Sequence, residues 1–493
     1  MTSPETTAPE LPELSSPPNR IARNFLVLGV SSVGATLINL FLGIYSRHIF
    51  GPSVTGQLAW CGAIITYATL LVSPGLATIA RREVARDPKQ AARYVLLLFV
   101  LHVALAALAF AAIQVFGRVT GREEQIQLLL FFNAFLLFLL PFDLAWLLLA
   151  HERMLPVSLW GFVLLLLQAG TTVALIHGPH NVLLYVLLPL PFRLASVAFS
   201  IWSCWRLGLV NWGNLKFNRS DVRPLVQAAI PVGMTQAMVL LYMNLDVILL
   251  GLHRSNAEVG FYSTAYSMMI VPNFLHQALS NAFFSPLARS LDDPARARQL
   301  SQLMLRALIW IGLPISALGW AVGRYPMLLV FGPNFQGSGE MFEWLSLNIA
   351  FIFFNIGYLV PLTAWQHQNL AFRCTFVGAI VNLGLNLVLV PRFGAQGAVI
   401  STLAAEVAVF ITAIQVRRRI HVLPWPRFVL APLLVSAGAA FLMRLAVNQG
   451  VPWWGAALVG MSVCLASCAF CEPDWTRQVL DRVGRSRKAA TPS

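Results

Sequence analysis

Residues 94–116 read YVLLLFVLHVALAALAFAAIQVF and contain no Asp, Glu, Lys or Arg. About 20 consecutive apolar residues are what an α-helix needs to cross the hydrocarbon interior of a bilayer. The rest of the chain has the same character, since 57% of its 493 residues are apolar, 11% are charged and the mean hydropathy is +0.70. Soluble chains carry about 25% charged residues. The sequence therefore predicts an integral membrane protein.

Similar apolar runs on both sides of this segment predict an all-α polytopic protein with about fourteen transmembrane helices. The span near 260–284 has the weakest pattern, because it contains Pro272 and His276. The fourteen spans predicted from the sequence are 25–46, 58–79, 94–116, 126–149, 155–176, 182–205, 225–251, 260–284, 303–323, 341–364, 371–390, 397–416, 428–447 and 452–471.

The placement of the basic residues predicts the topology. With fourteen spans and a cytoplasmic amino terminus, 26 of the 34 Lys and Arg residues fall in inside segments, 7 fall in outside segments, and Arg193 lies within a span. This bias follows the positive-inside rule and predicts that both termini lie in the cytoplasm. The net charge of +14 is spread over short loops, where anionic headgroups are the natural partner, so we expect no nucleic-acid partner.

Several other classes of function are disfavoured by what the loops contain. The longest loop, about residues 206–224, is too short for a nucleotide-binding fold, and the chain has no Gly-rich phosphate loop. The six cysteines show no disulfide or zinc spacing, and we expect no metal or other cofactor. Residues 1–19 are rich in Pro, Glu, Ser and Thr and predict a disordered cytoplasmic tail rather than a signal peptide.

An internal repeat joins the two halves of the chain. The turn FGPSVTGQ at residues 50–57 resembles SNAEVGFY at residues 255–262, and each contains a glycine, Gly56 or Gly260, that opens the next helix. The offset is about 205 residues, or six spans. An even number of spans between the copies predicts parallel repeats related by an axis along the membrane normal.

These segments resemble the polysaccharide transporter, or oligosaccharide flippase, family, whose superfamily also contains multidrug exporters and the lipid II flippase. The resemblance is carried by the Gly51 to Gly56 turn, by Gly260-Phe261-Tyr262, by VFGPNF at 330–335 and by NLVLVPRFGAQGA at 386–398. It covers about residues 20–420. Gln57 departs from the family pattern, in which an aromatic residue usually follows the turn glycine.

The resemblance implies two six-helix lobes around a central cavity that opens alternately to each side of the membrane. The expected units are the tail 1–19, an N-lobe of residues 20–206, a cytoplasmic linker 207–224, a C-lobe of residues 225–420, helices 13 and 14 within 421–472, and a basic cytoplasmic tail 473–493.

Few polar residues lie at membrane depth, and these are the candidate site residues. Arg193, with Arg47, is the predicted site for a pyrophosphate or an anionic sugar, because a guanidinium keeps its charge and binds phosphate in a two-pronged geometry. The alternative is a structural Arg–Asp pair. Candidates for a coupling ion or a charge partner are Asp246, Asp143 and Glu406, with a structural role favoured for the last two. Asn39 and Asn244 are candidates for lining a sugar-binding cavity.

The resemblance implies a non-enzymatic function, the flipping of undecaprenyl-pyrophosphate-linked oligosaccharide across a bacterial inner membrane for surface polysaccharide synthesis. The expected partners are this substrate, membrane lipids, H⁺ or Na⁺, and polysaccharide-assembly enzymes. One alternative is an ion-coupled multidrug exporter of the same fold, which an anionic cavity would favour. A membrane-embedded polymerase or ligase is the third hypothesis, but the long outside loop that such an enzyme needs is missing.

Overall fold

The computed structural model describes residues 18–215, 217–418, 420 and 426–471. Residues 1–17 of the predicted tail and the predicted basic tail 473–493 lie outside this range. Within it the secondary structure is helical and includes no strand. The α-helices are α1 Pro18–Val72, α2 Leu76–Arg86, α3 Ala91–Val119, α4 Glu124–Phe135, α5 Ala145–Ala150, α6 Met154–Leu175, α7 Val182–Leu187, α8 Pro189–Arg206, α9 Val222–His253, α10 Asn256–Ser267, α11 Ile270–Ala288, α12 Pro294–Val322, α13 Arg324–Phe331, α14 Gln336–Leu345, α15 Leu347–Ala364, α16 Gln368–Phe393, α17 Ala395–Arg417, α18 Leu430–Asn448 and α19 Trp453–Cys471.

The number of membrane-length helices differs from the predicted fourteen at two places, or at three if the bent pair that matches predicted span 7 is not counted as one span. In the described residues, 11 helices are long and apolar enough to cross a membrane, or 12 if the bent pair Arg219–Met238 and Met243–His253 forms one span. Predicted spans 1 and 2 are counted together, as the continuous segment Ser31–Val72. Predicted span 8 falls on α10 and α11, which are not among the helices that qualify.

The long helix α1 is bent at Gly51, which separates the two predicted spans. Gly51 has φ 67° and ψ −178°, a backbone conformation that a residue with a Cβ adopts only with strain. Pro52 follows and lacks the N–H that would continue the helical hydrogen bonds. The Gly51-Pro52 pair therefore makes the turn between the two spans without a loop.

The buried apolar residues form several clusters, and the largest joins both predicted lobes. It includes Trp60, Ile64 and Leu129 from the N-lobe together with Leu250 and Tyr262 from the C-lobe. Two other clusters each belong mainly to one lobe, one around Leu147 and Cys204, the other around Leu308, Phe353 and Tyr358. The two predicted lobes therefore share two clusters, this one and a smaller one around Leu76 and Ala229, and each also keeps a core of its own.

The helices α18 and α19 pack on the C-lobe through α12. Arg444 of α18 places its guanidinium 4.5 Å from the centre of the Trp320 ring and 3.4 Å from the carboxylate of Glu343 on α14. The cation–π contact and the ion pair fix the carboxyl-terminal end of α18 against α12 and α14.

Candidate substrate cavity

The two repeat copies meet where α1 crosses α10. A Cβ atom at Gly56 would lie 1.7 Å from the carbonyl oxygen of Asn256, and one at Gly260 would lie 1.9 Å from the carbonyl oxygen of Pro52. These contacts are reciprocal, because each glycine faces the residue four positions before the other glycine. Only glycine permits two helix backbones to approach this closely. The contact has the local two-fold relation that parallel repeats predict.

A second seam between the lobes runs along α1 and α9. The Trp60 Nε1–H donates to the carbonyl of Ile248 at 3.2 Å, and the Tyr67 hydroxyl donates to the carbonyl of Leu240 at 2.9 Å. Farther along, Gly75 packs on Val232, where a Cβ atom would come within 2.8 Å of the valine side chain. This side of the interface is therefore closed over the length of the second span.

Arg47 lies beside the α1–α10 crossing and is half-buried. Its Nε–H donates to the Thr264 hydroxyl of α10 at 3.1 Å, and its Nη1–H donates to the carbonyl of Gly43 at 2.9 Å. The guanidinium also lies 5.7 Å from the centre of the Phe331 ring. Within the described residues no carboxylate forms an ion pair with Arg47. Its positive charge is therefore held at the lobe interface by neutral groups.

Two cavities share the Arg47 side chain. The interlobe cavity, of about 290 Å³, is lined by residues of α1, among them Asn39, and by residues of the predicted C-lobe. The N-lobe cavity, of about 330 Å³, lies on another face of α1 and is lined only by residues of the predicted N-lobe. Asn39 is exposed, and its amide donates to the carbonyl of Ala35 at 2.9 Å. The structure therefore brings together two of the predicted site residues, Arg47 and Asn39.

Arg193 lies on α8 and is exposed. It is absent from the linings of both cavities that contain Arg47. In the part of the chain that the structure describes, it forms no ion pair with Asp143, Asp246 or Glu406. The structure thus separates Arg193 from the other candidates, and its contact with substrate stays a prediction.

Asp246 of α9 is buried, with 3% of its surface exposed. One carboxylate oxygen of Asp246 accepts a hydrogen bond from the backbone N–H of Val247 at 2.8 Å. The other accepts one from the hydroxyl of Tyr262 on α10. The Tyr262 ring stacks on that of Tyr266. Asp246 is therefore a carboxylate held inside the C-lobe by a tyrosine hydroxyl.

Glu406 of α17 is buried beside Asn355 of α15, whose amide donates to the Glu406 carboxylate at 2.6 Å and to the Glu406 carbonyl at 3.1 Å. Both residues line a mostly apolar C-lobe cavity of about 270 Å³ that also contains Phe372 and Phe376. This cavity therefore presents an acidic group to an apolar space.

The two remaining candidates lie elsewhere. Asp143 follows the helical break at Pro141, and its carboxylate accepts the backbone N–H of Ala145 at 2.9 Å. This bond satisfies a donor at the start of α5, as a helix cap does. Asn244 is half-buried on α9, two residues before Asp246.

Sequence reasoning missed Thr264, Tyr262, Tyr185 and Gln168. Their residue types are common in membrane spans, so no composition signal singles them out. A retrospective signal exists for Tyr262, because Gly260-Phe261-Tyr262 is one of the segments that carry the resemblance. Thr264 follows two residues later on the same helix.

A set of membrane-length helices with cavities between and within the predicted lobes defines a multi-pass membrane protein. The chain matches the model of a family described as polysaccharide biosynthesis protein over residues 21–286. The protein belongs to this family, which confirms the resemblance found in the sequence.

Two curated proteins are similar to part of the chain. The probable flippase AglR of Haloferax volcanii is 29% identical over 206 residues, which are 40% of this chain and 42% of that protein. The uncharacterized membrane protein MJ1068 of Methanocaldococcus jannaschii is 23% identical over 192 residues, or 38% of this chain and 37% of that protein. The matched segments thus span about two-fifths of the length of these relatives.

Solved structures show the same fold over most of the chain. The lipid II flippase MurJ in an inward closed conformation superposes with a TM-score of 0.71 at 11% identity, covering 91% of this chain and 99% of that one. An inward-facing multidrug resistance transporter of the MATE family, from the MOP superfamily, superposes with a TM-score of 0.61 at 16% identity, covering 79% and 95%. At these identities the likeness concerns the fold alone.

Proposed function

We propose that this protein flips a lipid-linked oligosaccharide across the bacterial inner membrane, for surface polysaccharide synthesis. The observation that carries the proposal is Arg47, a positive charge at the lobe interface with access to two polar cavities. Burying a charge costs free energy unless it is paired, so a half-buried arginine with no carboxylate ion pair among the described residues favours an anionic ligand. The pyrophosphate of an undecaprenyl-linked sugar supplies such a group.

The surface of the lobe interface supports entry of a lipid from the side. On α1, the side chains of Leu37 and Phe41 are more than half exposed. On α11, Val271 is also more than half exposed and Phe274 is half exposed. Leu37 and Phe41 directly follow the lining residues Thr36 and Leu40 of the interlobe cavity, and Val271 follows the lining residue Met268 by three positions. We infer that the polar head occupies the cavity while the lipid tail stays in the bilayer.

Alternating access requires an energy source, and Asp246 is the proposed coupling site. A carboxylate inside the C-lobe, hydrogen-bonded to Tyr262 between α9 and α10, can bind H⁺ or Na⁺ and change its contacts when it does. Since α9 and α10 form both interlobe seams, a change at Asp246 would be transmitted to the lobe interface.

The test is flipping by the purified protein in proteoliposomes that contain a fluorescent undecaprenyl-pyrophosphate oligosaccharide. Arg47→Ala should slow flipping about tenfold or more, because a charged hydrogen bond contributes about 1.5–3 kcal/mol. The matched control is Arg118→Ala, which removes an exposed arginine outside both Arg47 cavities. The same flipping assay on Arg193→Ala tests whether Arg193, the other arginine predicted to contact the pyrophosphate, takes part in transport. Normal flipping by Arg47→Ala at normal protein level would exclude the proposed role of the charge.

A second candidate function is the ion-coupled export of amphipathic cations. The observation that favours it is the C-lobe cavity, whose lining includes Glu406 together with Phe372 and Phe376. An acidic group among aromatic rings is suited to an organic cation. Cells that express the protein should then accumulate less ethidium, and Glu406→Gln should abolish this effect. If cells that express the active flippase accumulate as much ethidium as cells without it, export of this cation is excluded.

A further inference from the structure

The N-lobe cavity is enclosed by helices of one lobe only, and one of its walls is the Arg47 segment of α1. Its volume is about 330 Å³, and α4, α6 and α7 contribute Asn133, Gln168 and Tyr185. No Asp or Glu belongs to the lining among the described residues. The cavity therefore combines one positive charge with neutral polar groups.

The hydrogen bonds of Arg47 leave part of its guanidinium without a protein acceptor. A guanidinium has five N–H donors and no acceptor. Within the described residues one donates to Thr264 and one to the carbonyl of Gly43. Gly43 permits this folded-back position, since a Cβ atom there would lie 2.8 Å from the Arg47 Nη1. The remaining donors belong to a side chain that lines the N-lobe cavity.

The other polar groups of the cavity divide into those already satisfied and those still available. Ser46 and Thr172 donate their hydroxyl protons to backbone carbonyls, at 3.2 and 2.7 Å. By contrast, within the described part of the chain neither the Tyr185 hydroxyl nor the Gln168 side-chain amide forms a hydrogen bond with a protein group. The contact of Tyr185 is made by its ring, which packs edge-on against Phe50. Arg47, Tyr185 and Gln168 are thus three available donors around one space.

We propose that the N-lobe cavity is a binding site for a small inorganic anion, which serves as the counter-ion of Arg47. Donors without a carboxylate partner recognise an anion, and the planar guanidinium suits an oxyanion such as phosphate. This site is distinct from the interlobe cavity proposed for the lipid-linked sugar, although both share Arg47.

Occupancy of the site has a consequence for the lobe interface. The Arg47 Nε–H donates to Thr264 of α10, while the same side chain also lines the N-lobe cavity. An anion in the cavity attracts the guanidinium in its present position and so stabilises the contact between α1 and α10. The anion is therefore a ligand of one lobe that strengthens the contact between both.

The experiment measures binding of inorganic phosphate and of chloride to the purified full-length protein in detergent, by calorimetry and thermal melting. Gluconate at equal ionic strength is the reference for non-specific salt effects. We expect phosphate or chloride to raise the melting temperature by a few degrees, because a ligand of the folded state stabilises it. Tyr185→Phe and Gln168→Leu should each weaken binding several-fold, and Arg47→Gln about tenfold or more.

Two control variants test whether the site lies within the N-lobe. Asn39→Leu alters only the interlobe cavity, and Thr264→Val removes the hydrogen bond across the lobes, so both should bind the anion with unchanged stoichiometry.

Farnesyl pyrophosphate is the lipid-borne probe. If Tyr185→Phe and Gln168→Leu weaken farnesyl pyrophosphate binding as much as phosphate binding, the N-lobe cavity holds the lipid-linked head rather than a separate anion, and the proposal is overturned. An equal response to gluconate, or unchanged binding by Tyr185→Phe, Gln168→Leu and Arg47→Gln, would also overturn it.

Discussion

Gly56 and Gly260 show how a single missing side chain determines the packing of two helices. Each glycine leaves space that a carbonyl oxygen of the opposite helix fills. The sequence marked both residues as turn glycines that open a helix, and the structure shows that they lie in the helix contact itself. Their role is therefore close approach rather than a special backbone angle.

Gly56→Ala should destabilise the contact between α1 and α10 by about 1–3 kcal/mol or more, because its Cβ atom would overlap the Asn256 carbonyl. The matched control is Gly62→Ala in the same helix, where no atom lies within 4 Å of the added Cβ. Alanine is the better helix former, so this change should be neutral or stabilising by up to about 1 kcal/mol. Thermal melting of the two purified variants compares them. Equal melting temperatures would contradict the close contact.

At the scale of elements, the turn between α16 and α17 shows what the NLVLVPRFGAQGA segment does. Gly394 has φ 61° and ψ −136°, and its missing side chain leaves room for the Glu258 carboxylate. That carboxylate accepts the Ala395 N–H at 2.7 Å, while the Arg254 guanidinium donates to the carbonyls of Pro391 and Arg392. The residues just before Gly260 and the NLVLVPRFGAQGA segment therefore bind each other.

Gly394→Ala should destabilise the protein through both strain and overlap, because the Cβ atom would lie 2.0 Å from the Glu258 oxygen. Gly450→Ala is the matched control, since Gly450 also has positive φ, 88°, but no atom within 4 Å. It should show only the strain of about 1–2 kcal/mol. Adding Glu258→Ala to Gly394→Ala should recover part of the loss in a double-mutant cycle. Additive effects of the two changes would show that the carboxylate and the turn are not coupled.

The sequence predicted the helical class, the family and the location of the turns, because these depend on apolar runs and on glycines. It could not rank Arg47 above Arg193. In a membrane the outer face of a span is as apolar as the inner one, so the sequence does not reveal which face turns inward. Arg193 lies within its predicted span, whereas Arg47 lies just beyond the end of the first one, which favoured Arg193. The structure instead places Arg47 between two cavities and leaves Arg193 exposed on α8.

At the scale of the whole molecule, the contacts of the two halves suggest how the protein moves. The reciprocal glycine contact and the Arg47–Thr264 hydrogen bond join α1 to α10 on the side that the topology predicts to face outward. Each predicted lobe also has a smaller apolar core of its own, which can move with that lobe as a unit. Rocking of one lobe against the other would therefore shift the large apolar cluster that both predicted lobes share around the α1–α10 contact.

The rocking motion predicts that distances on the two sides of the membrane change in opposite directions. Spin labels at Arg118 and Asn334 report the predicted outer side, and labels at Lys89 and Asp292 report the predicted inner side; all four residues are exposed. Of the six cysteines only Cys471 is exposed, so Cys471→Ser gives a background with few competing thiols. Gly56→Ala should lengthen the outer distance and shorten the inner one, because it disrupts the outer contact, whereas Gly62→Ala should leave both unchanged. If both distances lengthen together, the lobes separate rather than rock, and alternating access around the α1–α10 contact is excluded.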